Sequence, residues 1–138
     1  MSTAVPPTVT NPKWMTWLGW VLTALPSLVL LGSAGYKFSG GKEFVDGLKK
    51  MGWDPGLAVP LAITELVCTI LYLIPQTSVL GAILLTGYMG GAIVVHISQG
   101  ESFAFQAVFG VVIWLGIFLR EPRLRAILPF RNPRAAKS

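Results

Sequence analysis

Seven side chains in this sequence could do chemistry together: Ser33, Tyr36, Lys37, Glu65, Tyr88, His96 and Gln106. Glu65 is the sharpest of them, because it stands inside a long apolar run. An ionised carboxylate in hydrocarbon costs several kcal/mol or more, so it turns inward and finds a partner. Tyr88 at a similar depth, His96 one to two turns above, or Lys37 reaching down along its own methylenes could serve. Two roles fit Glu65: a proton-handling or ligand-orienting acid, or a structural hydrogen bond between two helices. His96, alone near a helix end, reads as a solvated or hydrogen-bonded group before it reads as a ligand or relay. Cys68 follows Glu65 by one turn and packs as a small hydrophobe. A single cysteine and a single histidine exclude a thiol pair, a thiolate zinc site and a bis-histidine haem built by this chain alone.

The elements that must hold these groups are apolar. Hydrophobic types make up 53% of the 138 residues and charged types 12%, against about 25% charged in soluble domains. Four runs can be read: Trp14–Tyr36, Leu57–Ile74, Ser78–Ile97 and Phe103–Leu119. A bilayer core needs about 20 apolar residues in a helix. The first three reach that length and the fourth falls near its lower limit. Trp14, Trp17 and Trp20 crowd the start of the first run, as aromatic residues do at a membrane interface. That run exceeds a signal-peptide core, so it is expected to remain in the chain. Pro26 removes a donor at its middle and predicts a kink.

The expected fold is all-α: a four-helix antiparallel transmembrane bundle with a short amphipathic surface helix between spans one and two. Phe44, Val45, Leu48 and Met51 give residues 42–51 a helical period among charges, which predicts a helix lying at the membrane surface. Pro75–Gln76–Thr77 is a tight link, so spans two and three are neighbours. Residues 1–13 read as a flexible leader, 14–119 as the membrane domain and 120–138 as a basic interfacial tail. Leu124, Ile127, Leu128 and Phe130 of the tail are expected in the headgroup region, with its arginines on anionic lipid. Nothing resembles a folded basic surface with stacking aromatics, so nucleic acid is not an expected partner. Gly87-x-x-x-Gly91 has the spacing of close helix packing, within the monomer or at a dimer face.

Lysine and arginine number seven on the side of the termini and four on the other. The positive-inside rule then places both termini in the cytoplasm. At about 1.5 Å per residue, Glu65 lies roughly 12 Å and Tyr88 roughly 13 Å from the side opposite the termini. His96, Ser33, Tyr36, Lys37 and Gln106 lie nearer that side. The half near the termini offers little beyond Thr23, Thr69 and Tyr72.

Taken in order, Gly32 to Lys37 (GSAGYK), Phe44, Leu48 and Gly52–Trp53, Glu65–Leu66, Leu73–Ile74–Pro75, Gly81–Ala82, and Met89 with His96 resemble the DoxX-like family of small four-span membrane proteins. Val67 and Cys68 depart from the small residues and glycine common there. The resemblance implies a bacterial inner-membrane protein. Some relatives are subunits of a thiosulfate:quinone oxidoreductase, others associate with redox or thiol-handling partners, and distant ones assist membrane-protein assembly. It supports the fold more than the reaction. The expected function is an accessory integral membrane protein that binds a hydrophobic small molecule or a membrane protein partner through an intramembrane polar pocket around Glu65; a second copy of itself is the other expected partner. No cofactor is built by this chain alone. The alternative is a quinone-reactive oxidoreductase subunit in which Glu65 and His96 manage protons; a transporter subunit would need oligomerisation.

Overall fold

The computed structural model describes residues 10–127. Six α-helices follow one another, with no strand among the described residues: α1 (Lys13–Phe38), α2 (Lys42–Lys50), α3 (Ala58–Leu73), α4 (Ser78–Ser98), α5 (Ala104–Arg120) and α6 (Pro122–Ile127). A single 3-10 turn, Pro55–Leu57, leads into α3. By length and composition α1, α4 and the stretch Pro55–Leu73 can each cross a membrane, while α5 is apolar but has 17 residues.

Local chemistry explains the boundaries. Pro12 precedes the first turn of α1, where a missing N–H costs nothing, and its carbonyl accepts from Met15 and Thr16. Pro26 lies inside α1, which remains one helix. Buried hydroxyls on the same face turn back on the backbone: Thr23 donates to the Gly19 carbonyl at 2.8 Å and Ser27 to the Thr23 carbonyl at 2.7 Å. Gly52 and Gly100, each with φ near +73° and +72° respectively, end α2 and α4 in the left-handed conformation that glycine adopts without strain.

The four long helices form a ring in the order α1, α3, α4, α5, each packed on its two neighbours. The core between them holds Leu30, Cys68, Tyr72, Leu85, Ile113 and Ile117. Leucines, isoleucines and valines such as Leu28, Val94 and Val111 cover the outside, the pattern of a bundle whose solvent is lipid. Long polar side chains reach across both diagonals of the ring. Lys37 of α1 meets Tyr88 of α4, and Tyr72 of α3 donates to the Ile113 carbonyl of α5 at 2.7 Å. The first bridge lies in the half distant from the termini, the distal half; the second lies in the proximal half.

The short amphipathic helix expected between spans one and two is α2, and its Leu48 is 2% exposed. Amphipathicity in the sequence fixes an apolar face but not what covers it. Arg120 completes α5 and Leu124 of α6 is 4% exposed within the core, so the first part of the basic tail packs on the bundle. At the other end, Lys13 opens α1 and Asn11 donates to the Leu119 carbonyl at 2.8 Å, so the last residues of the leader are held by polar contact. Leu128, Phe130 and residues 1–9 lie outside the described residues.

Candidate functional site

The distal cluster begins with an ion pair. Lys37 stands in the last turn of α1 and is 7% exposed; Glu65, in the middle of α3, is 2% exposed. Lys37 Nζ donates to Glu65 Oε2 at 2.6 Å, to Tyr88 Oη at 2.8 Å and to Ser33 Oγ at 3.0 Å. All three ammonium protons are thereby used. Ser33 in turn donates to Glu65 Oε2 at 3.3 Å. The rings of Phe44 and Tyr88 lie 5.1 and 5.4 Å from Nζ, within cation–π range. Burying two charges is tolerable only with this kind of pairing and added hydrogen bonds. The ion pair ties α1 to α3, and Tyr88 extends it to α4.

Of the three partners expected for Glu65, Lys37 makes the ion pair; Ser33 adds a hydrogen bond to the same carboxylate oxygen, and His96 bonds elsewhere. Lys37 is the penultimate residue of α1. An ammonium supplies the opposite charge that a buried carboxylate needs; a phenol or a neutral imidazole supplies only a dipole.

A cavity of about 670 Å³ opens beside this cluster. Leu30, Leu61, Met89, Phe105 and Phe109 give it apolar walls, and Phe44, Leu48 and Trp53 bring α2 and its following turn over it. All seven residues singled out in the sequence line it: Ser33, Tyr36, Lys37, Glu65, Tyr88, His96 and Gln106. They do not form one network. Tyr36 is half-exposed and its hydroxyl accepts from the Glu43 backbone N–H at 3.3 Å, fastening the start of α2. His96 and Gln106 pair on another wall at 3.0 Å. His96 Nδ1 lies 2.8 Å from the Ala92 carbonyl. A carbonyl only accepts, so Nδ1 carries the proton there, and in a neutral ring Nε2 accepts from the Gln106 amide. Glu101 Oε2 lies 3.8 Å from the same Nε2.

Gly87 and Gly91 stand exposed on α4 at the edge of the cavity. A Cβ on Gly87 or Gly91 would meet nothing within 4 Å, and both residues line the cavity. The expected close packing within the monomer at this pair is therefore absent; the spacing shows that two glycines share a face, but not what that face meets. Close approach occurs instead at Gly81, where a Cβ would stand 2.2 Å from the Tyr72 backbone nitrogen.

The proximal cluster contains similar side chains in a closed arrangement. Arg120 Nη2 donates to the Tyr72 carbonyl at 2.9 Å, and its guanidinium lies 4.4 Å from the Trp20 ring and 5.4 Å from the Tyr72 ring. Thr23 and the Tyr72 hydroxyl are 3.4 Å apart. Gly19 packs against α5 so closely that a Cβ would sit 2.7 Å from the Arg120 backbone nitrogen. Sequence reasoning grouped Arg120 with the basic tail and missed this role. The available signal was position: Arg120 ends an apolar run with Trp20 and Tyr72 at the same end of the bundle.

Fold and site together define a small four-helix protein of membrane type, with a buried ion pair bordering an apolar cavity. The chain belongs to the DoxX-like family, whose model matches residues 21–116 and so takes in the whole ion-paired cluster and both walls of the cavity. Neither a search of curated proteins nor one of solved structures returned a match. The apolar helices and the family fit an integral membrane protein.

Proposed function

We propose that this protein is an accessory membrane subunit that binds a hydrophobic small molecule, or the side chains of a membrane protein partner, in the distal cavity. In this reading it sits in a bacterial inner membrane with both termini in the cytoplasm, and its C-terminal arginines meet anionic lipid. The observation that carries the reading is the buried Lys37–Glu65 pair on the wall of an apolar cavity. A purely structural link between α1 and α3 needs no space beside it. The cavity's volume falls within the range of about 300–1,000 Å³ usual for small-molecule sites, and polar groups on otherwise apolar walls are what orient a ligand there.

Organic extraction of the purified protein tests this. A small molecule recovered with the native protein and lost from the cavity-filling variants Gly87→Leu and Gly91→Leu supports the reading. A molecule retained equally by both folded variants contradicts it. Stoichiometric co-purification of another membrane protein, lost from the same variants, selects the partner over the small ligand.

A second reading, a quinone-reactive subunit of a membrane oxidoreductase, draws on one specific feature. His96 is protonatable and lines the same cavity as the Tyr88 hydroxyl and Glu65. Hydrogen-bond donors and a titratable group beside an apolar chamber match what a quinone ring needs for binding and proton exchange. Quinone-dependent turnover abolished by His96→Phe would favour this reading over the non-catalytic one.

A further inference from the structure

The rim of the distal cavity changes character with depth. At the distal end of the bundle it carries polar groups: Tyr36, Glu43 and Glu101 line the cavity there and are exposed, beside the exposed rings of Trp53 and Phe105. Charge together with aromatic rings is what a membrane–water interface holds. Deeper, the rim is apolar. Val29 of α1 and Gly87 and Gly91 of α4 line the same cavity and are likewise exposed. Their helices end distally at Phe38 and Ser98. Counted from those ends at about 1.5 Å per residue, Gly91 lies roughly 10 Å, Val29 roughly 13 Å and Gly87 roughly 16 Å down the bundle. Half of a bilayer's hydrocarbon core is about 15 Å thick, so this lower rim stands at the level of acyl chains. Trp20, Thr23, Tyr72 and Arg120 of the proximal cluster do not line the cavity, which belongs to one leaflet.

From this grading we infer that the cavity takes a lipid of the distal leaflet. Its head stays level with Tyr36, Glu43 and Glu101, and an alkyl chain turns in past Val29, Gly87 and Gly91 towards Leu30, Leu61, Met89 and Phe109. The inference rests on the reading of the cavity as a ligand site. Such a chain reaches the inner wall without leaving hydrocarbon. A molecule arriving from water passes beneath α2, which is fastened at both ends. Tyr36 Oη accepts from the Glu43 N–H at 3.3 Å, and the Met51 sulfur lies 3.9 Å from Ser98 Oγ and 3.7 Å from Gln99 Nε2. The rim also selects. Methylenes lose nothing on moving from lipid to an apolar wall, whereas a charge at that depth is costly. Inside, Lys37 and Glu65 already neutralise each other, so nothing there draws a charged head inward.

Photolabelling in a bilayer tests this. The full chain is placed in phosphatidylcholine vesicles that include a phosphatidylcholine with a diazirine midway along one acyl chain. After irradiation the labelled peptides are mapped by mass spectrometry. Exposed residues such as Ile63 and Val94 report the surrounding lipid. The expected result is label on the inner wall as well, at Leu61, Tyr88 or Met89. A second, short diazirine alcohol added from water separates this inference from the reading beneath it. Inner-wall label from the alcohol with none from the lipid overturns the lipid assignment and leaves the cavity as a ligand site. Inner-wall label from neither probe overturns the ligand-site reading with it.

Discussion

The two polar clusters of this bundle are built from similar parts and end differently. Each has a cation near the end of a helix, a tyrosine reaching across the ring and a hydroxyl from α1. In the proximal half the cation is Arg120. Its planar guanidinium stacks on Trp20 and grips a backbone carbonyl, and at Gly19 and Gly81 the helices approach too closely for a Cβ. In the distal half the cation is Lys37, a compact charge that a single carboxylate can neutralise. The glycines there, Gly87 and Gly91, face open space. Polar side chains inside a bundle thus do not by themselves mark a site. What distinguishes the distal cluster is the cavity that it borders, at whose edge Gly87 and Gly91 meet open space.

The largest expected effect lies in the ion pair. Glu65→Leu leaves the Lys37 ammonium buried without its counter-charge and should destabilise the protein by about 3–5 kcal/mol. The double variant Glu65→Leu with Lys37→Met should recover much of that loss, because an apolar pair of similar volume is often as stable as a buried ion pair. Reversible denaturation of both proteins in a bilayer mimetic checks this. A double variant no more stable than the single one would mean that the two residues act independently.

Gly81→Ala should come next, at about 1–3 kcal/mol, the usual range for overpacking. Its new Cβ would meet the Tyr72 backbone, which a rotamer change cannot move aside. Arg120→Gln should follow at about 1–2 kcal/mol. It removes the stacking on Trp20, worth about 0.5–1 kcal/mol, and weakens the bond to the Tyr72 carbonyl. Neither substitution should alter binding in the distal cavity, and a change in ligand affinity equal to that of a cavity-filling variant would join the two clusters into one unit.

The sequence carried much of this arrangement, and what it withheld has physical causes. Glu65 was legible because a carboxylate in an apolar run demands explanation. The four helices were legible because hydrophobic length is a direct signal. The pairing of Glu65 with Lys37 was one option among three, since depth along a helix does not give rotation about it. Arg120 read as tail because it begins a basic segment, although its place at the end of α5 sets it beside Trp20 and Tyr72. Helix α2 was legible because its apolar residues keep a helical period among charges, although the burial of Leu48 was not. The pair Gly87 and Gly91 misled: small residues permit close packing, but only the neighbour decides whether packing or space results.

The contrast between a closed proximal half and an open distal half reduces to one paired measurement, the unfolding midpoints of Gly19→Leu and Gly87→Leu. The same side chain is added to α1 in the proximal half and to α4 in the distal half. Gly19→Leu should be destabilised by about 1–3 kcal/mol, because its Cβ alone collides with the backbone of α5. Gly87→Leu should stay within about 0.5 kcal/mol of the native protein, because its side chain enters open space. Equal losses in the two variants, or a larger loss for Gly87→Leu, would contradict the account.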